Sequence, residues 1–361
     1  MKKLLALVLA GVMAFSLVAC GGGSEGGEGE AAGDEKLNVI LVCSQLGDKS
    51  FNDSADAGLK ELKDEGLINY KALEFGNDNS KVNITLEEVA PEYDVVICNN
   101  LGYGMATAWL RENAATYADT MFLIYDEPTD LVENMPNVQM IGYKANESDF
   151  LAGALAALIS ETGVIGFVGG MESPVIHDFL VGYVEGARYV NPEIKVNVAY
   201  IGSYTDAAKG KDLGKTAIDA GADVLHQVAG SAGNGYLEAA MEAGKWGIGV
   251  DSDQYEVFKT EKPDLANSIV TSSLKNVGLS LQVLLREMID GTYEWSQIRW
   301  FGIPEGCAGI AENENYMAKV SEEDRATLND IKEIVASGEI KVSTAYGMTA
   351  DEIAALVDSA K

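Results

Sequence analysis

The 361-residue chain has few basic residues: 26 lysines and arginines stand against 56 aspartates and glutamates, a formal charge of −30 at pH 7. No lysine or arginine cluster interrupts that excess. Such a chain is repelled by nucleic acid and by an anionic membrane surface. A highly charged anion is a poor ligand for the same reason. Histidine is scarcer still, with only His177 and His226. His226 lies in the apolar run VLHQV and reads as a satisfied core residue. No Ser/His/Asp set and no metal-ligand spacing is present, so neither an enzyme nor a metal site is expected. After Cys20 only Cys43, Cys98 and Cys307 remain, without a CxxC pair. Cys43 and Cys98 sit in apolar strand-like runs and read as buried thiols, although a disulfide is open if their strands are neighbours. No segment matches GxGxxG or GxxxxGK[ST], so nucleotide hydrolysis has no motif and no cofactor is expected.

The first twenty residues are the most specific part of what is present. Lys2 and Lys3 precede an apolar run over 4–18 that ends in Leu17-Val18-Ala19-Cys20. A basic start, a short apolar core and a small residue before a cleavage point describe a secretory signal peptide over 1–19. The run is shorter than the ~20 residues a spanning helix needs. The cysteine after the small residue resembles the lipobox of bacterial lipoproteins. That resemblance implies acylation of Cys20, cleavage before it, and a protein tethered at the cell membrane on its extracytoplasmic face. Residues 21–36, GGGSEGGEGEAAGDEK, carry no aromatic or branched apolar side chain. They cannot bury enough surface to fold, so 20–36 reads as a lipidated cysteine with a flexible linker.

From residue 37 onward, short β-rich runs alternate with helical periodicity. Strands are expected over 37–43, 70–75, 94–99, 121–125, 138–142, 164–168, 195–201, 223–227, 247–250 and 268–271. Helices are expected over 54–65, 82–89, 105–117, 149–161, 174–190, 207–220 and 235–243. The apolar helix over 149–161 is too short to span a membrane and reads as a packed core helix. Alternating strands and helices imply parallel sheets with right-handed crossovers. Two successive rounds, each too short for an eightfold barrel, imply an α/β protein of two doubly wound lobes. Ligands of such sheets bind beyond the carboxyl ends of the strands.

The strand ends carry Gly47-Asp48-Lys49-Ser50-Phe51-Asn52-Asp53-Ser54, then Asp126, Gly202-Ser203-Tyr204-Thr205-Asp206, Gly230–Gly235, Asp251-Ser252-Asp253-Gln254 and Ser272-Ser273-Leu274-Lys275. They offer two aromatics, several acids, one lysine and a glycine-rich turn. Asp48, Asn52, Asp53 and Ser54 are each able to cap the next helix, and for Asp53 and Ser54 capping is the preferred reading. Asp126 and Asp251 gain weight from recurring at successive strand ends.

In this order these residues resemble the basic membrane protein family of bacterial lipoproteins, which includes purine nucleoside receptors of ABC importers. Further matching segments are Phe150-Leu151-Ala152-Gly153-Ala154-Leu155-Ala156-Ala157, Gly166-Phe167-Val168-Gly169-Gly170-Met171, Tyr189-Val190-Asn191-Pro192, Lys209-Gly210-Lys211 and Ile248-Gly249-Val250-Asp251. The resemblance implies a type I periplasmic-binding-protein fold whose lobes are joined by three crossovers. These are placed near 142–144, 271–273 and Arg299, giving an N-terminal lobe of 37–142 plus 273–298 and a C-terminal lobe of 143–272 plus 299–361. It also implies roles. Phe51 and Tyr204 would sandwich a purine base, Asp126 would accept from its N–H edge, and Asp251 would bind the ribose hydroxyls. Asp48, Asn52 and Lys275 would complete the polar shell, and Gly230 would let the backbone approach the ligand. The implied partners are a purine nucleoside, ABC permease subunits, and the membrane through the lipid anchor, with no nucleic acid. Tyr204 departs from the phenylalanine common at that position, and Glu127-Pro128-Thr129-Asp130 matches no ligand role. Alternatives are a receptor for riboflavin or another small polar ligand, or a surface sensor without transport.

Overall fold

The computed structural model describes residues 36–361, apart from 77, 100, 127–134 and 296–297. The expected signal peptide, Cys20, the linker up to residue 35 and Glu127-Pro128-Thr129-Asp130 lie outside the described residues.

The chain builds two six-stranded sheets among the described residues. The first contains β1 (Leu37–Cys43), β2 (Ile68–Glu74), β3 (Val95–Asn99), β4 (Met121–Tyr125), β5 (Val138–Tyr143) and β11 (Ile298–Phe301), in spatial order β11-β5-β4-β3-β1-β2. All of its pairings are parallel. The second contains β6 (Val164–Gly169), β7 (Lys195–Tyr200), β8 (Val224–Val228), β9 (Trp246–Asp251), β10 (Ile269–Lys275) and β12 (Ala308–Ile310), in order β12-β10-β9-β8-β6-β7. Here β12, antiparallel to β10, breaks the parallel pattern. Each lobe thus runs 2-1-3-4-5 from its own first strand and reverses between its first and third strands, where doubly wound sheets bind ligands.

Helices cover both faces of each sheet. In the first lobe α1 (Phe51–Asp64) packs with α10 (Val277–Ile289) on one face, and α2 (Val82–Val89) with α3 (Leu101–Asn113) on the other. In the second, α4 (Ala145–Ile159), α5 (Pro174–Val190) and α12 (Glu322–Ala336) cover one face. There α6 (Ala207–Asp219) and α7 (Gly230–Glu242) cover the other. The small-residue sequence of α4 has a packing cause. A side-chain carbon on Gly153 would lie 2.0 Å from the Tyr183 carbonyl oxygen, and one on Gly186 1.9 Å from that of Phe150. Only glycine lets these two helices approach so closely.

Cys43 and Cys98 are free and buried on neighbouring strands. Cys98 is in register with Val42, so period-two alternation sends Cys43 to the α1/α10 face and Cys98 to the α2/α3 face. No disulfide forms between them. The chain passes from the first sheet to the second between Tyr143 and Ala145, returns between Lys275 and Val277, and leaves again between Phe301 and Ala308. Two crossings are a few residues later than the sequence pattern places them. Strand β10 runs on through polar Ser272 and Ser273, and Arg299 lies inside β11, a strand too short to announce itself.

Candidate functional site

The loop between β1 and α1 is tied down by carboxylates. Asp48 accepts from the backbone N–H groups of Ser50 (3.0 Å), Asn52 (2.8 Å) and Asp53 (3.2 Å), satisfying first-turn donors that the helix leaves open. This moves the start of α1 to Phe51, three residues before the sequence expectation. Asp53 and Ser54, the preferred caps, do other work. Asp53 accepts from Gly47 N (2.7 Å) and Lys49 N (2.9 Å), shaping the loop, and Ser54 Oγ accepts from Gly278 N on α10. Burial pushes the Asp48 carboxyl up, against the opposing pull of its three backbone bonds.

Phe51, at the first turn of α1, therefore points over the end of the sheet. Its ring lies 5.1 Å from that of Tyr125, and the Lys275 ammonium lies 4.6 Å from its centroid. Lys275 ends β10 and is 4% exposed. Its Nζ sits 3.0 Å from Asp126 Oδ1 and 3.5 Å from Asp251 Oδ1, with Phe179 and Tyr143 rings at 5.2 and 6.0 Å. Burial opposes the ammonium charge, but the two carboxylates outweigh it and raise its pKa. Asp126 is itself pushed up by burial, with Lys275 pulling the other way.

Asp126 follows β4 and Asp251 ends β9, the fourth strand of each lobe. Both have a left-handed backbone, with φ of 68° and 62°. Lys49, at 58°, is the one other non-glycine of this kind among the described residues. Side-chain-bearing residues avoid this region, and such strain clusters at functional sites. Here the turn swings each carboxylate off the strand end toward the same lysine. The lobes also touch directly: Ser50 Oγ donates to Asp251 Oδ2 at 2.5 Å, and Ser252 Oγ donates to the Ser50 carbonyl at 3.2 Å. Asp251 Oδ1 has no hydrogen bond of its own.

The structure thus brings Phe51, Asp126, Asp251 and Lys275 into one cluster built by both lobes. Asn52 stands beside it: its Nδ2 donates to the Gln45 carbonyl (3.0 Å) and its Oδ1 is buried without a partner. Tyr204 and Gly230 form a second group, at the ends of β6, β7 and β8. The Tyr204 ring covers Gly170, where a side-chain carbon would come within 2.3 Å of it. The Tyr204 carbonyl accepts from Ala232 N and Ser231 Oγ, each at 2.9 Å. Gly230 has φ 54°, which is what requires glycine there. The rest of the glycine-rich run is not a loop but the first turn of α7. Gly235 packs on the Ala207 carbonyl and Gly233 on the Gln227 side chain.

His226 is a core residue: fully buried, with Nε2 3.0 Å from Asp149 Oδ2 and Nδ1 3.2 Å from the Ile248 carbonyl oxygen. Among the described residues no group of three His, Cys, Asp or Glu is placed to hold a metal ion, and no helix is long and apolar enough to cross a membrane. Sequence reasoning misses Ser50, Tyr143 and Phe179 as neighbours of the site. Ser50 lies inside the loop motif over 47–54, so its position is the available signal. Tyr143 and Phe179 look like ordinary core aromatics.

Comparison with known proteins gives the family and the fold. A model of the Bmp family, described as ABC transporter substrate-binding protein PnrA-like, matches residues 36–343. The ABC transporter nucleoside-binding protein BmpA of Lactococcus lactis subsp. cremoris is 32% identical over 321 residues, covering 85% of this chain and 90% of that protein. Basic membrane protein A2 of Borrelia garinii subsp. bavariensis is 33% identical over 322 residues, covering 87% and 88%. In three dimensions an ABC transporter solute-binding protein from Aeropyrum pernix K1 superposes with a TM-score of 0.75 at 22% identity, covering 90% of this chain and 99% of that one. The two-lobed α/β architecture is therefore the periplasmic-binding-protein fold, and the chain belongs to the Bmp family of ABC transporter substrate-binding proteins, solute carriers rather than enzymes.

Proposed function

We propose that this protein captures purine nucleosides between its lobes and delivers them to an ABC permease. It would do so from the outer face of the cell membrane, held there by acyl chains on Cys20. The observation that carries the reading is the shared cluster, in which Phe51 and Asp126 from one lobe meet Asp251 and Lys275 from the other. A flat heterocycle stacked on Phe51 gains roughly 1–3 kcal/mol per base. Tyr204 would supply the second ring, so that stacking on both faces requires the lobes to close, with ligand favouring the closed state. Asp126 would accept from the N–H edge of the base. Asp251, held by Ser50 through Oδ2, would offer Oδ1, which also faces Lys275 at 3.5 Å, to the ribose hydroxyls. Asp48 and Asn52 would support the Phe51 loop, and Gly230 would let the backbone after β8 approach the ligand.

Charge supports a nucleoside over a nucleotide. Among the described residues Lys275 is the cation of the cluster, and two carboxylates already engage it, so a phosphate would meet a net negative site. On this reading one lobe would comprise 37–143 with the α10 and β11 region, and the other would comprise 145–275 with the segment after Phe301. The anchor rests on the pattern of residues 1–20, and two or more acyl chains hold a protein stably where one does not.

Titration calorimetry tests the reading on the whole chain, purified in detergent and refolded once to strip carried-over ligand. The panel is inosine, guanosine, adenosine, cytidine, ribose and riboflavin. Purine nucleosides should bind tightly with ribose silent. Silence to every nucleoside, with a response to riboflavin or ribose, would keep the cleft and overturn the ligand.

A further inference from the structure

Trp300, on the short edge strand β11, is 37% exposed. A lone exposed aromatic is ordinary on a protein surface. This one has a built seat on one side and a partner from the other lobe on the other. It is in register with Gly142 on β5, and a side-chain carbon on Gly142 would lie 2.6 Å from the indole. The ring therefore rests on the bare backbone of the strand beside it. Gly142 and Trp300 come directly before Tyr143 and Phe301, where the chain makes its first and third crossings between the lobes. The Lys144 N–H donates to the Phe301 carbonyl (2.9 Å), so these two crossings run side by side.

The partner is Tyr346. Its ring centroid lies 5.3 Å from that of Trp300, with the planes 69° apart, the edge-to-face geometry that aromatic pairs favour. Tyr346 ends a segment, 342–346, that is fastened to the second lobe. Val342 and Ala345 are buried there. Asn146 Nδ2 donates to the carbonyls of Val342 (3.3 Å) and Ser343 (3.0 Å), and Glu185 accepts from Ser343 N (3.0 Å). Asp178 accepts from Thr344 Oγ1 (2.5 Å) and Ala345 N (2.9 Å), and also from the N–H of Asn146, just past the first crossing. The segment thus belongs mechanically to the second lobe, while the indole it touches is seated on the first.

The lobes meet across the cleft in this structure, where Ser50 Oγ reaches Asp251. Lobe closure is a rotation absorbed by a few residues at the crossings. The Trp300–Tyr346 contact spans that axis without joining the ligand cluster. Phe301 packs on the α1/α10 face with Tyr143 and Phe51, so alternation places Trp300 on the opposite face.

We propose that residues 342–346 form a strap that braces the closed lobes by setting Tyr346 against Trp300, a non-covalent fourth link beside the three crossings. The strap governs how long the closed form lasts, not which ligand it holds.

Stopped-flow release of inosine from the full chain tests it, with Trp300→Ala, Tyr346→Ala and the double variant. Each single change should quicken release about twofold to tenfold, the scale of one aromatic pair, with the melting temperature near wild type. The double variant should release no faster than the faster single, because both changes remove the same contact. Should Tyr346→Ala melt early, Tyr346→Leu serves in its place. Wild-type release rates in both single variants, or factors that multiply in the double, would overturn the brace. The choice of inosine rests on the nucleoside reading above. If the wild type does not bind it, that reading falls, and the brace is judged without ligand by the distance between spin labels at Glu88→Cys and Asp219→Cys. That distance should shift in Tyr346→Ala, and an unchanged distance would overturn the brace.

Discussion

The two lobes solve the same problem with the same backbone device and different side chains. Each places an aspartate in a left-handed turn at the end of its fourth strand, Asp126 after β4 and Asp251 on β9. They differ in where the aromatic ring comes from. The first lobe takes Phe51 from the loop after its first strand, locks that loop with Asp48 and Asp53, and half-buries the ring against Tyr125. The second lobe takes Tyr204 from the loop after its second strand, rests the ring on Gly170 and leaves it 37% exposed. The first half-site is fixed by hydrogen bonds and by ring packing. The second holds its carboxylate in place but leaves its ring at the rim. Under the proposed nucleoside reading, the first lobe would carry the base and the second would complete the grip.

The largest effect should come from removing what joins the two carboxylates. Lys275→Met leaves buried Asp251 and partly buried Asp126 without their cation, a change worth up to roughly 3–5 kcal/mol. Denaturant unfolding should show that loss, and adding Asp126→Asn should recover part of it. An unchanged midpoint would mean the lysine does not bridge the lobes. Ring truncation separates the lobes next. Phe51→Ala should weaken inosine by the full stacking contribution of roughly 1–3 kcal/mol, and Tyr204→Ala by less, because an exposed ring brings less preorganisation. Equal losses would erase the asymmetry. Ser50→Ala removes the hydroxyl that fixes Asp251 from across the cleft. A loss of about 1 kcal/mol in inosine affinity is expected, with the melting temperature near wild type.

The smallest effect concerns pH and lies away from the cleft. Asp178 on α5 holds Thr344 and Ala345 of the C-terminal segment and the backbone of Asn146 at the start of α4. Burial raises its carboxyl from 3.8 to about 6. A raised acid stabilises the folded state below its unfolded pKa and loses that contribution as pH climbs through its folded value. The wild type should therefore gain stability from this group between pH 7 and pH 5, by about 1 kcal/mol. Asp178→Asn should remove that gain. If both proteins respond to pH alike, Asp178 is not the titrating group.

Much of this architecture is legible in the residues. Apolar β-rich runs alternating with helical periodicity specify the two parallel sheets, because buried parallel strands need crossover helices. Asp126 and Asp251 stand at the carboxyl ends of apolar strand runs, where a doubly wound sheet holds its ligand, and Lys275 follows a polar strand end. Other features escape the pattern for specific causes. The first turn of α1 is satisfied by Asp48, three residues before the helix, so periodicity alone places the start too late. Gly230–Gly235 looks like a loop, but Gly233 and Gly235 are small because another element's atoms occupy the place of a side chain. Strands β11 and β12 have four and three residues and carry no periodicity to detect. The pairing of Asn99 with Tyr125 shows only once strand register puts the two side by side.

The central claim is that one ligand is gripped by residues of both lobes. The most direct test is titration of inosine into Phe51→Ala and Asp251→Ala, one change in each lobe. The account predicts that each variant loses binding or keeps only a small fraction of it while melting as a folded protein. Wild-type affinity in both would contradict it.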